Sequence, residues 1–159
     1  RRLIEDWYVS DFHVDEARDV REAGYSERVS TSGDNLALVA KYLYDNHREI
    51  FSDILTKMEQ RVPGVKKVQA QETEDGRIVL RFQDCSFKDP FVSRFVSDGT
   101  IKMFTYLVLL NDPEKHALLC VEEPENQLYP RLLEELAEEF RIYSVLGDRY
   151  LFQPIPRIF

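Results

Sequence analysis

A chain of 159 residues can bury a sizeable core, and 43% hydrophobic with 31% charged residues is the balance of an ordered globular protein, which excludes disorder as the default state. The 21 basic and 29 acidic residues leave a net charge of −8, which argues against broad electrostatic attraction to DNA or to an anionic membrane. No apolar run reaches the roughly 20 residues that span a bilayer, no signal peptide opens the chain, and the cytoplasm is the expected compartment.

Leu3 to Phe12 holds Trp7, Tyr8, Val9 and Phe12 and reads as a strand leading into a loop. Residues 15–33 are polar and show no clear period. Ser32 or Asp34 then offers an N-cap. Leu36, Val39, Ala40 and Leu43, then Ile50, Phe51, Ile54, Leu55 and Met58, recur at helical spacing. They predict one or two helices over 35–61, broken near Asn46 and stopped by Pro63-Gly64. Val65–Thr73 and Arg77–Gln83 flank Glu74-Asp75-Gly76 and predict a hairpin, because glycine accepts positive φ at the turn. Phe91–Val96 reads as a further short strand. Thr100–Leu110 is apolar nearly all round, the mark of a buried helix. Ala117–Val121 is a short apolar strand of the kind buried on both faces of a parallel sheet. Pro130 opens a last helix with Leu132, Leu133, Leu136, Ala137 and Phe140 as its apolar stripe and most of its glutamates turned away. Arg149–Gln153 is a candidate final strand, and Pro154 and Pro156 mark a frayed or edge tail. The order predicts an α/β fold with an inserted antiparallel piece.

Two motifs carry chemistry. The strand Ala117–Val121 ends abruptly in Glu122-Glu123-Pro124-Glu125. Ligands of open α/β sheets bind at the carboxyl ends of strands. A carboxylate there holds Mg²⁺, usually through water, and a second one polarises the water that attacks a phosphoryl group. This is the logic of a Walker B strand, with Glu122 on the metal side and Glu123 as the base. A solvated acidic turn after a core strand is the alternative. The second motif, Ser97-Asp98-Gly99-Thr100, stands directly before the buried helix. A helix N-terminus suits a phosphate, Gly99 permits close approach, and Ser97 adds a hydroxyl. Plain N-capping by Ser97 or Asp98 is the alternative here. His13, His47 and His116 lack metal-ligand spacing and read as surface or packing residues, with His13 set between Asp11 and Asp15. Trp7, Tyr8 and Phe12 read as strand core rather than as a base-stacking platform, and Cys85 and Cys120 as buried free thiols.

Taken in order, Ser-x-Gly, buried helix, apolar strand, Glu122-Glu123-Pro124-Glu125-Asn126 and Leu128-Tyr129-Pro130 resemble the ABC-class ATPases of the SMC and RecF type. The likeness is strongest to the bacterial AAA-21 group related to RecF and OLD ATPases, and covers about residues 93–140. Tyr129 stands where that group commonly has His. The resemblance implies the C-terminal part of an ABC/SMC-like P-loop fold, with the hairpin and the helices at 35–61 in a signature-bearing subdomain. Residues 1–159 would be a single partial ATPase domain. It implies ATP with Mg²⁺, held between two ATPase heads of a homodimer. Ser97, Asp98 and Gly99 would form the signature that reaches the partner's ATP. Glu122 and Glu123 would serve the ATP of their own subunit, and Asn126, Gln127 and Leu128 would form the loop that crosses the dimer interface. Two departures stand against an independent activity. The six glycines contain no Gly-x-x-x-x-Gly-Lys-Ser/Thr, so the Walker A half is absent from the chain, and residues 144–159 hold none of the family's switch histidine. The chain alone is therefore expected to be inactive. A non-catalytic interaction or regulatory module that keeps the ATPase shape is the other reading.

Overall fold

The computed structural model describes residues 7–145 and the backbone of 150–152. The chain begins with strand β1 (Trp7–Ser10), the single-turn helix α1 (Val14–Ala17) and strand β2 (Arg21–Glu22). Helices α2 (Leu36–Asn46) and α3 (Arg48–Arg61) precede strands β3 (Val65–Glu72), β4 (Arg77–Asp84) and β5 (Phe91–Val92). A 3-10 turn at Ser93–Phe95 leads into helix α4 (Asp98–Leu110), strand β6 (Leu118–Val121), helix α5 (Pro130–Val145) and strand β7 (Tyr150–Phe152).

The strands form two sheets. One is parallel, in the order β1-β6-β7, with Trp7 opposite Leu118 and Ser10 opposite Val121. Helix α5 supplies the crossover that a parallel β6–β7 pair requires. The other sheet is antiparallel, with β3, β2 and β5 all paired to β4. Its hairpin closes as the Asp75-Gly76 signal requires: Gly76 takes φ +72 and its amide donates to Thr73 O at 3.0 Å. At the other end Gly64, at φ +90, ends the α3–β3 connection, where an added Cβ would meet Asp84 Oδ2 at 2.7 Å.

The core is organised around α4. All of its residues from Gly99 to Leu110 are buried. Phe104 packs edge-on against Phe82 of β4, with centroids 5.6 Å apart. Tyr106 sits between Phe12 and Phe140, at 5.0 and 5.5 Å. One apolar helix thus joins the antiparallel sheet, the loop after β1 and helix α5. Burying side chains of this size stabilises a fold by about 1.5–3 kcal/mol each, so α4 contributes heavily to cohesion.

Several expectations need correction. Trp7 is not core: it is 58% exposed, on the face of β1 away from Tyr8. Residues 15–33 do contain structure, α1 and β2, too short for periodicity to register. The residue that precedes α2 is Asn35, and its side chain is used elsewhere, accepting from Ser30 N at 2.8 Å and donating to Ser26 Oγ at 2.7 Å. Asp34 likewise faces Arg21 rather than the helix. The strand expected over Phe91–Val96 spans two residues before the 3-10 turn. Strand β6 is buried only at Leu119 and Val121, with Leu118 and Cys120 half-buried. Cys85 is exposed, and both cysteines are free. In α5, Ala137 is exposed while Glu139 is buried. The helix break expected near Asn46 is observed, at His47 between α2 and α3. Pro154, Pro156 and the ends of the Arg149–Gln153 expectation lie outside the described residues.

Glu139 sits in the apolar stripe because α3 brings cations to it. Lys57 Nζ donates to its Oε2 at 2.8 Å and Arg61 Nε to its Oε1 at 2.7 Å, while Arg61 also pairs with Glu135. The Glu139 side chain is 1% exposed, against 27% and 18% for the two cations. Removing one partner of a fully buried pair costs about 3–5 kcal/mol. Residual solvation of Lys57 and Arg61 reduces that, so Glu139→Gln is expected to destabilise by about 2–3 kcal/mol. Urea unfolding of the two proteins measures it, with Glu138→Gln, at an exposed ion pair with Arg141, as a control that leaves the midpoint unchanged.

Candidate functional site

The parallel register of β1 and β6 sets the site. Because Ser10 lies beside Val121, the residues after each strand emerge at the same carboxyl edge, and Glu122 N donates to Ser10 O at 2.9 Å. Asp11 therefore comes out beside Glu122 and Glu123. The three carboxylates, with His13 and Asp15, line a cleft of about 310 Å³ that Lys102, Asn126 and Gln127 close from the other side. His13 Nε2 lies 3.5 Å from Asp11 Oδ2. The side chains of Glu122 and Glu123 are exposed, and that of Glu122 makes no hydrogen bond or ion pair to the described residues. The carboxylate of Glu123 accepts from Asn126 Nδ2.

The backbone beneath these acids is tightly held. Glu123 and Gln127 take positive φ, 41° and 64°, in the left-handed region that non-glycine residues adopt at a cost. Asn126 N donates to Glu123 O at 3.1 Å and Leu128 N to Glu125 O at 3.2 Å. From α4, Lys102 Nζ donates to Glu123 O and Asn126 O. Burial pulls the Lys102 ammonium below its ordinary range, and Glu125, Glu123 and Asp11 oppose that shift. Among the described residues no group of three or more His, Cys, Asp or Glu side chains forms a metal cage. Asp11, Glu122 and Glu123 together offer the kind of exposed carboxylates through which Mg²⁺ binds alongside substrate phosphates while keeping most of its waters.

Ser97, Asp98 and Gly99 form the N-terminus of α4. Ser97 is its N-cap, accepting from Thr100 N at 3.3 Å, so the capping expectation is observed. Asp98 accepts from Arg18, which also donates to Ser93 O and Arg94 O, both at 3.0 Å. Ser93 Oγ returns a bond to Arg18 O at 3.1 Å. Gly99 lies close to protein: an added Cβ would meet Gln127 O and Leu132 Cδ1, each at 3.2 Å. The structure thus brings Gly99 against residues 127–128. It does not bring Ser97 and Asp98 to Glu122 and Glu123. They line an adjoining, larger cleft of about 920 Å³ with Arg18, Asp19, Arg94 and Phe95, and Asp15 lines both clefts.

Sequence reading missed Asp11, Arg18 and Lys102. Asp11 carried the same signal as Glu122, a carboxylate directly after an apolar strand. Lys102 was visible as the one charged residue inside an apolar helix. Arg18 had no signal, since its partners lie 75–80 residues away.

No curated protein matches the chain. A family model does, over residues 4–147, under the description "AAA domain, putative AbiEii toxin, Type IV TA system". Among the described residues no helix is long and apolar enough to cross a membrane. With its mixed α/β architecture and its acidic residues at the carboxyl edge of a parallel sheet, the chain belongs to this AAA_21 family, a group of nucleotide-binding, ATPase-like domains.

Proposed function

We propose that the chain is the signature and Walker B portion of an ABC-type ATPase of the SMC and RecF kind, hydrolysing ATP between two copies of the head. The observation that carries this reading is the pair Glu122 and Glu123, exposed at the carboxyl end of β6 on a loop whose backbone is fixed. An acid pair on a mobile turn would be ordinary surface. Fixing the backbone while leaving the carboxylates open is what positioned hydrolysis needs.

In this reading Glu122 faces the Mg²⁺ that accompanies ATP, and Glu123 accepts the proton of the attacking water. Mg²⁺, when bound with ATP, would neutralise charge on the phosphates. Asn126 orients the Glu123 carboxylate through the bond from its amide. Ser97 and Asp98 face the partner's ATP, with Gly99 seating their end of the helix against Gln127 and Leu128, which together with Asn126 line the dimer interface. Ser97 and Asp98 line a different cleft from Glu122 and Glu123, with Asp15 common to both, and this supports such a division, since one subunit then offers two half-sites to two nucleotides. The phosphate cradle comes from residues beyond these 159, the other half of the same domain, because the chain has no phosphate-binding loop sequence. The charge of −8 does not point to DNA, and the cytoplasm is the proposed compartment.

Two experiments test the proposal. The isolated 159-residue chain should give no heat on titration with Mg-ATP at micromolar concentration. A micromolar dissociation constant, about −8 kcal/mol, would mean that the cradle is not needed. In the full-length protein, Glu123→Gln should keep ATP binding and lose turnover by on the order of 10²–10⁴, with dimer accumulating on size exclusion. Glu122→Gln should weaken Mg²⁺-dependent binding as well as turnover. Ser97→Arg should block dimerisation while sparing binding to the same subunit. Wild-type hydrolysis by Glu123→Gln would remove the catalytic assignment and leave a non-catalytic interaction module as the better reading.

A further inference from the structure

Helix α4 carries one charged side chain beyond its first residue, Lys102, and buries it to 3% exposure. A buried ammonium needs hydrogen-bond acceptors. Lys102 finds them in two main-chain carbonyls, Glu123 O at 2.9 Å and Asn126 O at 2.8 Å. This pairing differs in kind from an ion pair. A carboxylate follows an ammonium through its own rotamers, whereas two carbonyls three residues apart are met together only by one backbone shape. That shape includes the left-handed conformations of Glu123 and Gln127, which the loop would otherwise relax. One turn earlier on the same helix face, Gly99 meets Gln127 O, so α4 touches both ends of the loop.

We infer that Lys102 is a positioning residue, which clamps the acidic loop to the helix that begins at Ser97 and so fixes the direction in which the Glu123 carboxylate leaves the backbone. It does this through the main chain and touches neither the nucleotide nor the attacking water. The inference rests on the proposed function for the role of Glu123, but the clamp itself does not. A second consequence follows from the geometry. The loop and the N-terminus of α4 are joined by one side chain, so displacement of either is carried to the other.

The test compares Lys102→Met and Lys102→Arg in the full-length protein, by steady-state kinetics and by hydrogen exchange of residues 122–128. Met fills the same volume and donates nothing, while Arg can still donate to two carbonyls. Lys102→Met should lower kcat by about 10²-fold, the scale of a misplaced catalytic group, with KM for ATP unchanged. Lys102→Arg should restore most of the rate. Amides of the loop should exchange at least about tenfold faster in Lys102→Met, while those of α4 and β6 keep their protection. A raised KM with unchanged kcat would make Lys102 a phosphate contact and overturn the inference, as would wild-type turnover with wild-type loop exchange. If the full-length wild type does not hydrolyse ATP, or Glu123→Gln hydrolyses normally, the proposed function fails alone. Loop exchange then decides the clamp, with faster exchange supporting it and unchanged exchange overturning it. Should Lys102→Met lose protection throughout the core, Lys102→Gln, which is polar but one bond too short to hold both carbonyls, replaces it under the same criteria.

Discussion

A helix buried on every side imposes a constraint that the other elements must satisfy. From Gly99 to Leu110, α4 offers no face to water, so a polar side chain on it is costly unless it is matched within the protein, and the Tyr106 hydroxyl alone among them finds no partner in the described residues. Thr105 solves this locally, donating to Ile101 O at 2.8 Å. Lys102 is matched elsewhere, because its ammonium sits at the end of a four-carbon stem that carries it beyond its own helix. Its acceptors must come from another segment, and the chain supplies them from the loop after β6. The path of residues 122–128, left-handed turns included, is thereby dictated from α4. The apolar character of the helix, which sequence shows at once, and the placement of the acidic loop, which it does not, are two sides of one requirement.

The same requirement explains what was legible. Elements that depend on their own pattern were readable: the Asp75-Gly76 hairpin, the helices on either side of His47, the Ser97 cap, and the strand ending at Glu122. Each follows from a rule confined to a dozen residues. Elements that depend on distant partners were not. Glu139 looks like a surface residue until α3 delivers Lys57 and Arg61 to it. Trp7 looks like core, but its face of β1 is left open. Strands as short as β2, two residues, exist only because β4 offers an edge to pair with. The candidate site divided along the same line. Glu122 and Glu123 were readable from the strand before them, whereas Asp11 joined them only once the parallel register of β1 and β6 was known.

The glycine at position 99 shows how a motif can carry two meanings. Its close approach was expected to serve a phosphate, yet its neighbours in the folded chain are Gln127 O and Leu132 Cδ1. Ser97 is likewise occupied, as an N-cap. Asp98 is held by Arg18, which also ties down the preceding turn. All three therefore have structural work within their own subunit, and the Ser-Asp-Gly sequence would be explained without any ligand. The acids differ. The Glu122 carboxylate makes no bond to the described residues, and the one bond to the Glu123 carboxylate comes from a residue of its own loop. Removing either carboxylate would leave no buried donor unpaired.

That contrast decides where the weight of the functional argument falls. A residue with a structural job is explained by folding, and its presence says little about chemistry. Glu122 and Glu123 have no such job, yet the chain commits a buried lysine, two left-handed residues and the register of a parallel sheet to the backbone that presents them. Left-handed conformations at non-glycine residues persist only where surrounding structure over-determines them. Here the surroundings are identified: Lys102 from one side, Ser10 O from another, and Gly99 beneath. A solvated acidic turn needs none of this, since water satisfies carboxylates and carbonyls alike at no cost in strain. The fixed loop is understood if the direction of those two carboxylates matters, which is the condition for acting together on a phosphate and its attacking water.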